Sequence, residues 1–320
     1  MVTNTANSGN LLYWSSAGRS YQFTILVIAC LALGGSFFLP VLSIEQQFWI
    51  VIVPIGVFGL SHGGADTSIL KKLTATSKSN VLLLLLAYML ASLAFVALIW
   101  TLPLVALLVF LGMSVWHFGY TDEAFLSSER DLLLRCLSGS MAVLGPILGH
   151  PQQTSELFSW LIKIETSAVL DVLVWMGPLL AGLWLLGFAY MMLRKSNRPS
   201  LRVLAEWCLV GATLIVLPPL LSFAFYFCVI HSMRHFLAIS EHCLLSNQKS
   251  LAKAFPARKI IPSTLGALVL AIVAWGIIVW IEPSPSLLTE AIRVMFWALA
   301  ALTFPHAIIV RLWWDQRPAE

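Results

Sequence analysis

Apolar residues come in runs of about twenty, separated by short polar or proline-bearing breaks. Ten such segments can be read, roughly 21–40, 46–66, 80–100, 102–120, 131–149, 169–193, 201–217, 219–240, 261–281 and 288–310. A run of that length spans a bilayer as a helix and exceeds a typical strand. The breaks carry Pro40, Pro103, Pro151, the pair Pro218-Pro219, Pro283 and Pro285, and prolines punctuate helices. The Pro-Pro pair divides what would otherwise be one run of about forty residues into two helices. Segment 131–149 is the weakest, because Asp131 and Arg135 open it. The pattern predicts an all-α fold, a polytopic integral membrane helical bundle of about ten transmembrane helices (range 8–10). It divides the chain into a polar tail over 1–20, one transmembrane domain over 21–313 and a short tail over 314–320. No cleavable leader is expected, since residues 1–20 are polar and the first apolar run is long enough for a true helix.

Composition agrees. Of 320 residues, 59% are hydrophobic and 11% charged, against about 25% charged in a soluble domain. Numbering the loops alternately by side sorts the charges. All of the 19 Lys and Arg residues except Lys163 and Arg293 fall on one side. The positive-inside rule then makes both termini cytoplasmic. The net charge of +4 reads as topology, and no nucleic-acid partner is expected. The five cysteines form no CxxC, and those within apolar runs read as small buried side chains. Multi-pass insertion in the plasma (inner) membrane of a prokaryote is the expected localisation.

Candidate chemistry enters with histidine. His231 and His235 are four apart in 229–236, on one helix face about a turn from each other. Ionisable residues in a membrane segment are functional candidates by default. His62, His117 and His306 lie near the ends of other runs, and with the loop assignment above all five sit at similar depth near the cytoplasmic surface. His150, before Pro151, reads as a loop residue, and His242 lies beyond its segment. Arg234, between the paired histidines, is expected to point away and snorkel to lipid headgroups.

Neighbouring residues extend the set. Gly59 and Gly63 flank His62 at a spacing that lets another helix approach closely. Asp66 falls four residues after His62, where a carboxylate can orient a ligand histidine. Trp116 and Phe118 flank His117, with Asp122 and Glu123 following. His306 follows Pro305, which offers a kink. Asp66, Asp122, Glu123, Trp116, Phe118 and His306 are therefore candidates for supporting the histidines or touching substrate. Imidazole suits Zn, Cu, Fe and Ni, and spacing alone does not distinguish iron from zinc.

The ordered set 59-GLSHGGAD-66, 116-WHFG-119, 231-HSMRH-235 and 305-PH-306 resembles the Brp/Blh family of β-carotene 15,15′-dioxygenases over about residues 50–310. The resemblance implies non-haem Fe(II) held by His62, His117, His231 and His235, with no catalytic residue beyond these ligands. It implies central cleavage of β-carotene by O₂ to two all-trans-retinal molecules, an oxidoreductase reaction incorporating molecular oxygen. It implies a carotenoid drawn from the bilayer and retinal supplied to a rhodopsin. The chain departs from the family at Ser61, where proline is frequent, at Thr67, near which a further histidine is frequent, and after WHFG, where the acidic position is displaced to Asp122-Glu123. An apolar substrate meets an intramembrane site directly. A histidine layer near the cytoplasm predicts a tilted or bent route entered laterally from lipid.

Two rivals remain at this level. Another membrane metal-dependent lipid or carotenoid oxidase would share the HxxxH spacing, although di-iron members need more histidines. A transporter with an intramembrane histidine site would show repeats or broken helices.

Overall fold

Proline and capping side chains set where the helices begin. The computed structural model describes residues 16–38, 40–59, 63–64, 66, 69–70, 78–127, 129–194, 198–239, 257–281 and 286–315, and the regular elements among them are helical. Helix α1 covers Ser16–Ser36. Helix α2 covers Ile44–Pro54 and continues as a π-helix over Ile55–Gly59. There follow α3 (Lys78–Thr101), α4 (Pro103–Leu126), α5 (Leu132–Gly149), α6 (Pro151–Ile162), α7 (Thr166–Leu193) and α8 (Leu201–Val216). Helix α9 has three parts, Pro219–Ala224, a π-helical stretch Phe225–Ser232, and Met233–Ile239. The last two are α10 (Ala257–Ile281) and α11 (Leu287–Asp315). Pro103, Pro151 and Pro219 open α4, α6 and α9, where a missing N–H is harmless. Asp131 caps α5 by accepting the Leu133 and Leu134 N–H groups at 3.1 and 3.2 Å, and Ser43 and Gln46 form a capping box on α2.

Among the described residues, 7 helices are long and apolar enough to cross a membrane: α3, α4, α5, α7, α9, α10 and α11. The chain is a polytopic all-α membrane protein. The other three predicted segments also contain helices. The apolar helix Ile44–Gly59 is shorter than a span, α8 has 16 residues, and α1 carries Arg19, Tyr21, Gln22 and Thr24 near its start. At 1.5 Å per residue, α8 is somewhat short of a hydrocarbon core of about 30 Å.

Two expectations change. The connection after His150, read as a loop, is the amphipathic helix α6. It buries Leu157, Leu161 and Ile162 and is too polar to register as an apolar run. Cys30, Cys136 and Cys208 are exposed on the bundle surface and Cys228 is buried, so apolar context did not mean burial. In a bilayer, the outward face is apolar too.

Close backbone contact fixes the centre. A Cβ on Gly119 of α4 would collide with the Arg135 carbonyl oxygen of α5, and one on Gly139 with that of Val115. Small residues let membrane helices meet this closely. Gly59 does the same for the π-helical end of α2, where a Cβ would lie 2.6 Å from Phe227 Cε1 of α9. Gly63, its predicted companion, has only Asp66 Oδ2 at 4.0 Å.

Candidate active site

Three helices bring four histidines together. His117 comes from α4, His231 and His235 from α9, and His306 from α11, all 3% exposed or less. Ring centroids lie 4.8 Å apart for His117–His231 and 6.4 Å for His231–His235. The circuit closes at 5.1 Å for His235–His306 and 4.9 Å for His117–His306. His231 sits in the π-helical stretch and His235 just after it; such widened turns are frequent at functional sites. The Tyr21 hydroxyl of α1 donates to the Val229 carbonyl within that stretch. Phe118 packs on His231 at 4.5 Å, and Phe227 lies near-parallel to it at 6.2 Å.

His306 is held from behind. Its Nδ1 lies 2.7 Å from Asp66 Oδ1, and the Tyr88 hydroxyl donates to Asp66 Oδ2 at 3.0 Å. Helix α11 runs through Pro305 without a break. Asp66, placed by the sequence four residues after His62, has His306 as its described histidine partner. His62 and His242 lie outside the described residues.

Arg234 corrects a prediction. It does not snorkel to headgroups: its side chain is 1% exposed and pairs with Asp122 Oδ1 at 2.9 Å and with Glu206 of α8. Tyr226 donates its hydroxyl to Asp122, and the guanidinium lies over the Phe125 ring at 5.3 Å. Two carboxylates outweigh the attraction of headgroups because the fork of guanidinium donors satisfies both without leaving the interior. The pair joins the helix of His117 to the helix of His231 and His235.

The remaining candidates sit apart from the circuit. Glu123 is buried and pairs with Arg135 at 2.7 Å, so it tightens α4 against α5. Trp116 stacks beside Tyr120 at 5.7 Å beneath Arg311, which makes it a packing residue for that arginine. His150 joins α5 to α6, its Nε2 3.0 Å from the Val216 carbonyl oxygen. Sequence reading missed Glu206, Tyr88 and Tyr226. Glu206 had a usable signal: a single carboxylate inside the apolar run 201–217 needs a partner. Nothing distinguished the two tyrosines from ordinary interface residues.

Among the described residues, no group of three or more His, Cys, Asp or Glu side chains is arranged as a ready metal site. The donor chemistry nevertheless fits a metal held by histidine. Several buried imidazoles suit iron, copper, zinc or nickel, and a carboxylate on the far nitrogen of one ring is the usual means of fixing a ligand histidine.

Comparison with known proteins identifies relatives over most of the chain. A relative described as Beta-carotene 15,15′-dioxygenase, from an uncultured marine bacterium, 66A03, is 28% identical over 271 residues, 82% of this chain and 92% of its own length. Another, described as Probable beta-carotene 15,15′-dioxygenase Blh, from Halobacterium salinarum, is 27% identical over 302 residues, 86% of each chain. No solved structure matches. The sequence profile described as BCD, Beta-carotene 15,15′-dioxygenase, matches residues 53–314. That span takes in every histidine of the circuit, and the chain belongs to the β-carotene 15,15′-dioxygenase family.

Proposed function

We propose that the chain cleaves the central double bond of β-carotene with O₂, giving two molecules of all-trans-retinal, at a non-haem Fe(II) held by His62, His117, His231 and His235. The observation that carries this reading is the buried circuit of histidine rings from three helices. Iron bound there would activate dioxygen. The chain's own side chains orient and enclose. Asp66 holds the His306 ring, and Tyr88 holds Asp66, so His306, beside His117 and His235, is a further ligand or a substrate contact. Phe118 and Phe227 wall His231 and exclude water. The Arg234–Asp122 pair keeps His117 in register with His231 and His235.

Substrate access belongs to the same reading. A carotenoid partitions into the bilayer, and an open apolar groove of about 740 Å³ runs between α1, α2 and α9 past Val51, Cys228 and Met233. That groove supports lateral entry. The reading also keeps about ten spans (range 8–10), cytoplasmic termini, a single catalytic domain over 21–313 and delivery of retinal to a rhodopsin. Lys163 and Arg293 are the two cations assigned to the outer side. Arg293 donates to the Trp160 carbonyl at 3.0 Å, while Lys163 lies over Trp100 at 5.4 Å.

The test is expression in bacteria that accumulate β-carotene, with pigments separated beside a His231→Ala control. Loss of β-carotene with retinal appearing only in the wild type supports the reading. Unchanged β-carotene in well-expressed, iron-loaded protein overturns it.

A further inference from the structure

A small cavity lies beside the histidine circuit, bounded by α4, α5, α6, α9 and α11, with a volume of about 70 Å³. We propose that it is a binding site for a small apolar gas, and that in the working protein the gas is dioxygen. The identity of the gas rests on the dioxygenase reading; the existence of the site does not.

Size comes first. An apolar cavity of about 150 Å³ accepts benzene or xenon. This one has less than half that volume, which excludes the methylated ring of a carotenoid end and leaves room for a diatomic molecule. Lining chemistry comes second. The walls include Leu107, Phe110, Leu157, Leu220 and Phe296. Two hydroxyls interrupt them. Thr154 is engaged, donating to the Pro146 carbonyl at 2.9 Å. Ser114 is 4% exposed, and its hydroxyl has no hydrogen-bond partner among the described residues. A buried water needs roughly two to four polar partners, and a single open hydroxyl does not supply them. The cavity therefore favours an apolar guest, to which Ser114 can offer one weak hydrogen bond.

Position comes third. Ser114 and Phe118 are four apart on one face of α4, and both line the cavity. The Phe118 ring also packs on His231 at 4.5 Å. One side chain thus borders both the cavity and the circuit. An apolar gas dissolved in the bilayer would be stored one residue from the histidines, on a side separate from the groove past Cys228.

Xenon and dioxygen serve as probes on the iron-loaded chain in lipid nanodiscs. Ala142 lines the cavity, and Ala142→Leu fills it. Xenon NMR should detect a bound site in the wild type, lose it in Ala142→Leu and strengthen it in Leu157→Ala. With β-carotene saturating, Ala142→Leu should raise the KM for oxygen several-fold while leaving kcat, the carotenoid KM and iron content unchanged. Ala142→Val, a smaller filler, gives the same changes in lesser degree and stands in if the leucine disrupts folding. Absence of xenon binding to the wild type overturns the proposal, as does an unmoved oxygen KM in a variant that has lost xenon. Xenon binding with no oxygen uptake in the wild type supports the gas site and overturns the dioxygenase reading.

Discussion

Helices α9 and α10 are both apolar enough to cross a membrane, yet they occupy opposite places in the molecule. In α9, 78% of the spanning stretch is buried within the bundle; in α10, 0% is. The more apolar of the two is the outer one. Lipid tails are as apolar as a protein interior, so hydrophobicity does not drive helices together here. Polar contacts, shape and small residues do. The helix with His231, Arg234, His235 and Tyr226 therefore goes to the centre, where each finds a partner. The spanning stretch of α10, Thr264–Ile281, holds no histidine, arginine or tyrosine and faces lipid.

That contrast is open to direct attack. The largest effect should come from His231→Ala, which is expected to bring carotenoid cleavage below detection and lower iron content, measured by pigment chromatography and elemental analysis. Retained iron with full activity would remove α9 from the chemistry. Next is Arg234→Ala, which strands two buried carboxylates. Breaking such a pair costs about 3–5 kcal/mol, readable by unfolding in mixed micelles. Arg234→Lys should recover only part, because an ammonium lacks the planar fork. A loss under 1 kcal/mol would mean that water reaches the site.

With His306 as a further ligand, Asp66→Asn should weaken iron affinity by about 10–100-fold with the fold intact, measured by chelator competition. An unchanged affinity would separate His306 from the metal. The smallest effects compare two glycines. Gly139→Ala, pressed on the Val115 carbonyl, should cost about 1–3 kcal/mol. Gly276→Ala in α10, with nothing within 4 Å, should gain up to about 1 kcal/mol from helix propensity. Equal outcomes in the unfolding assay would erase the distinction between the two helices.

Much of the fold was legible because bilayer length and proline act locally. Pro103, Pro151 and Pro219 each open a helix, and each of the ten apolar segments contains one. Helix α6 escaped because its burial is one-sided. In the site, His117, His231, His235 and His306 stood out by motif order and depth, together with His62. Their pairings could not be read, because those depend on contacts distant in sequence. Asp66 was four residues from His62, and its described histidine partner is His306, 240 residues away. Arg234 looked like a topological charge because a positive residue near a helix end usually is one. Only its position against α4 and α8 shows that it counts toward the interior. The π-helical stretch of α9 carries no composition cue at all.

The Arg234 network also has a consequence for biosynthesis. Asp122 and Glu206 precede Arg234 in the chain, so a ribosome delivers both acids to the membrane before their base has been made. Until α9 arrives, α4 and α8 each hold an acidic group with no lasting place in lipid. Arg234 on α9 is the base with which both acids pair, so α4 and α8 can close on it only after α9 has been made. The same contacts bring His231 and His235 to His117, and α11 with His306 follows later in the chain.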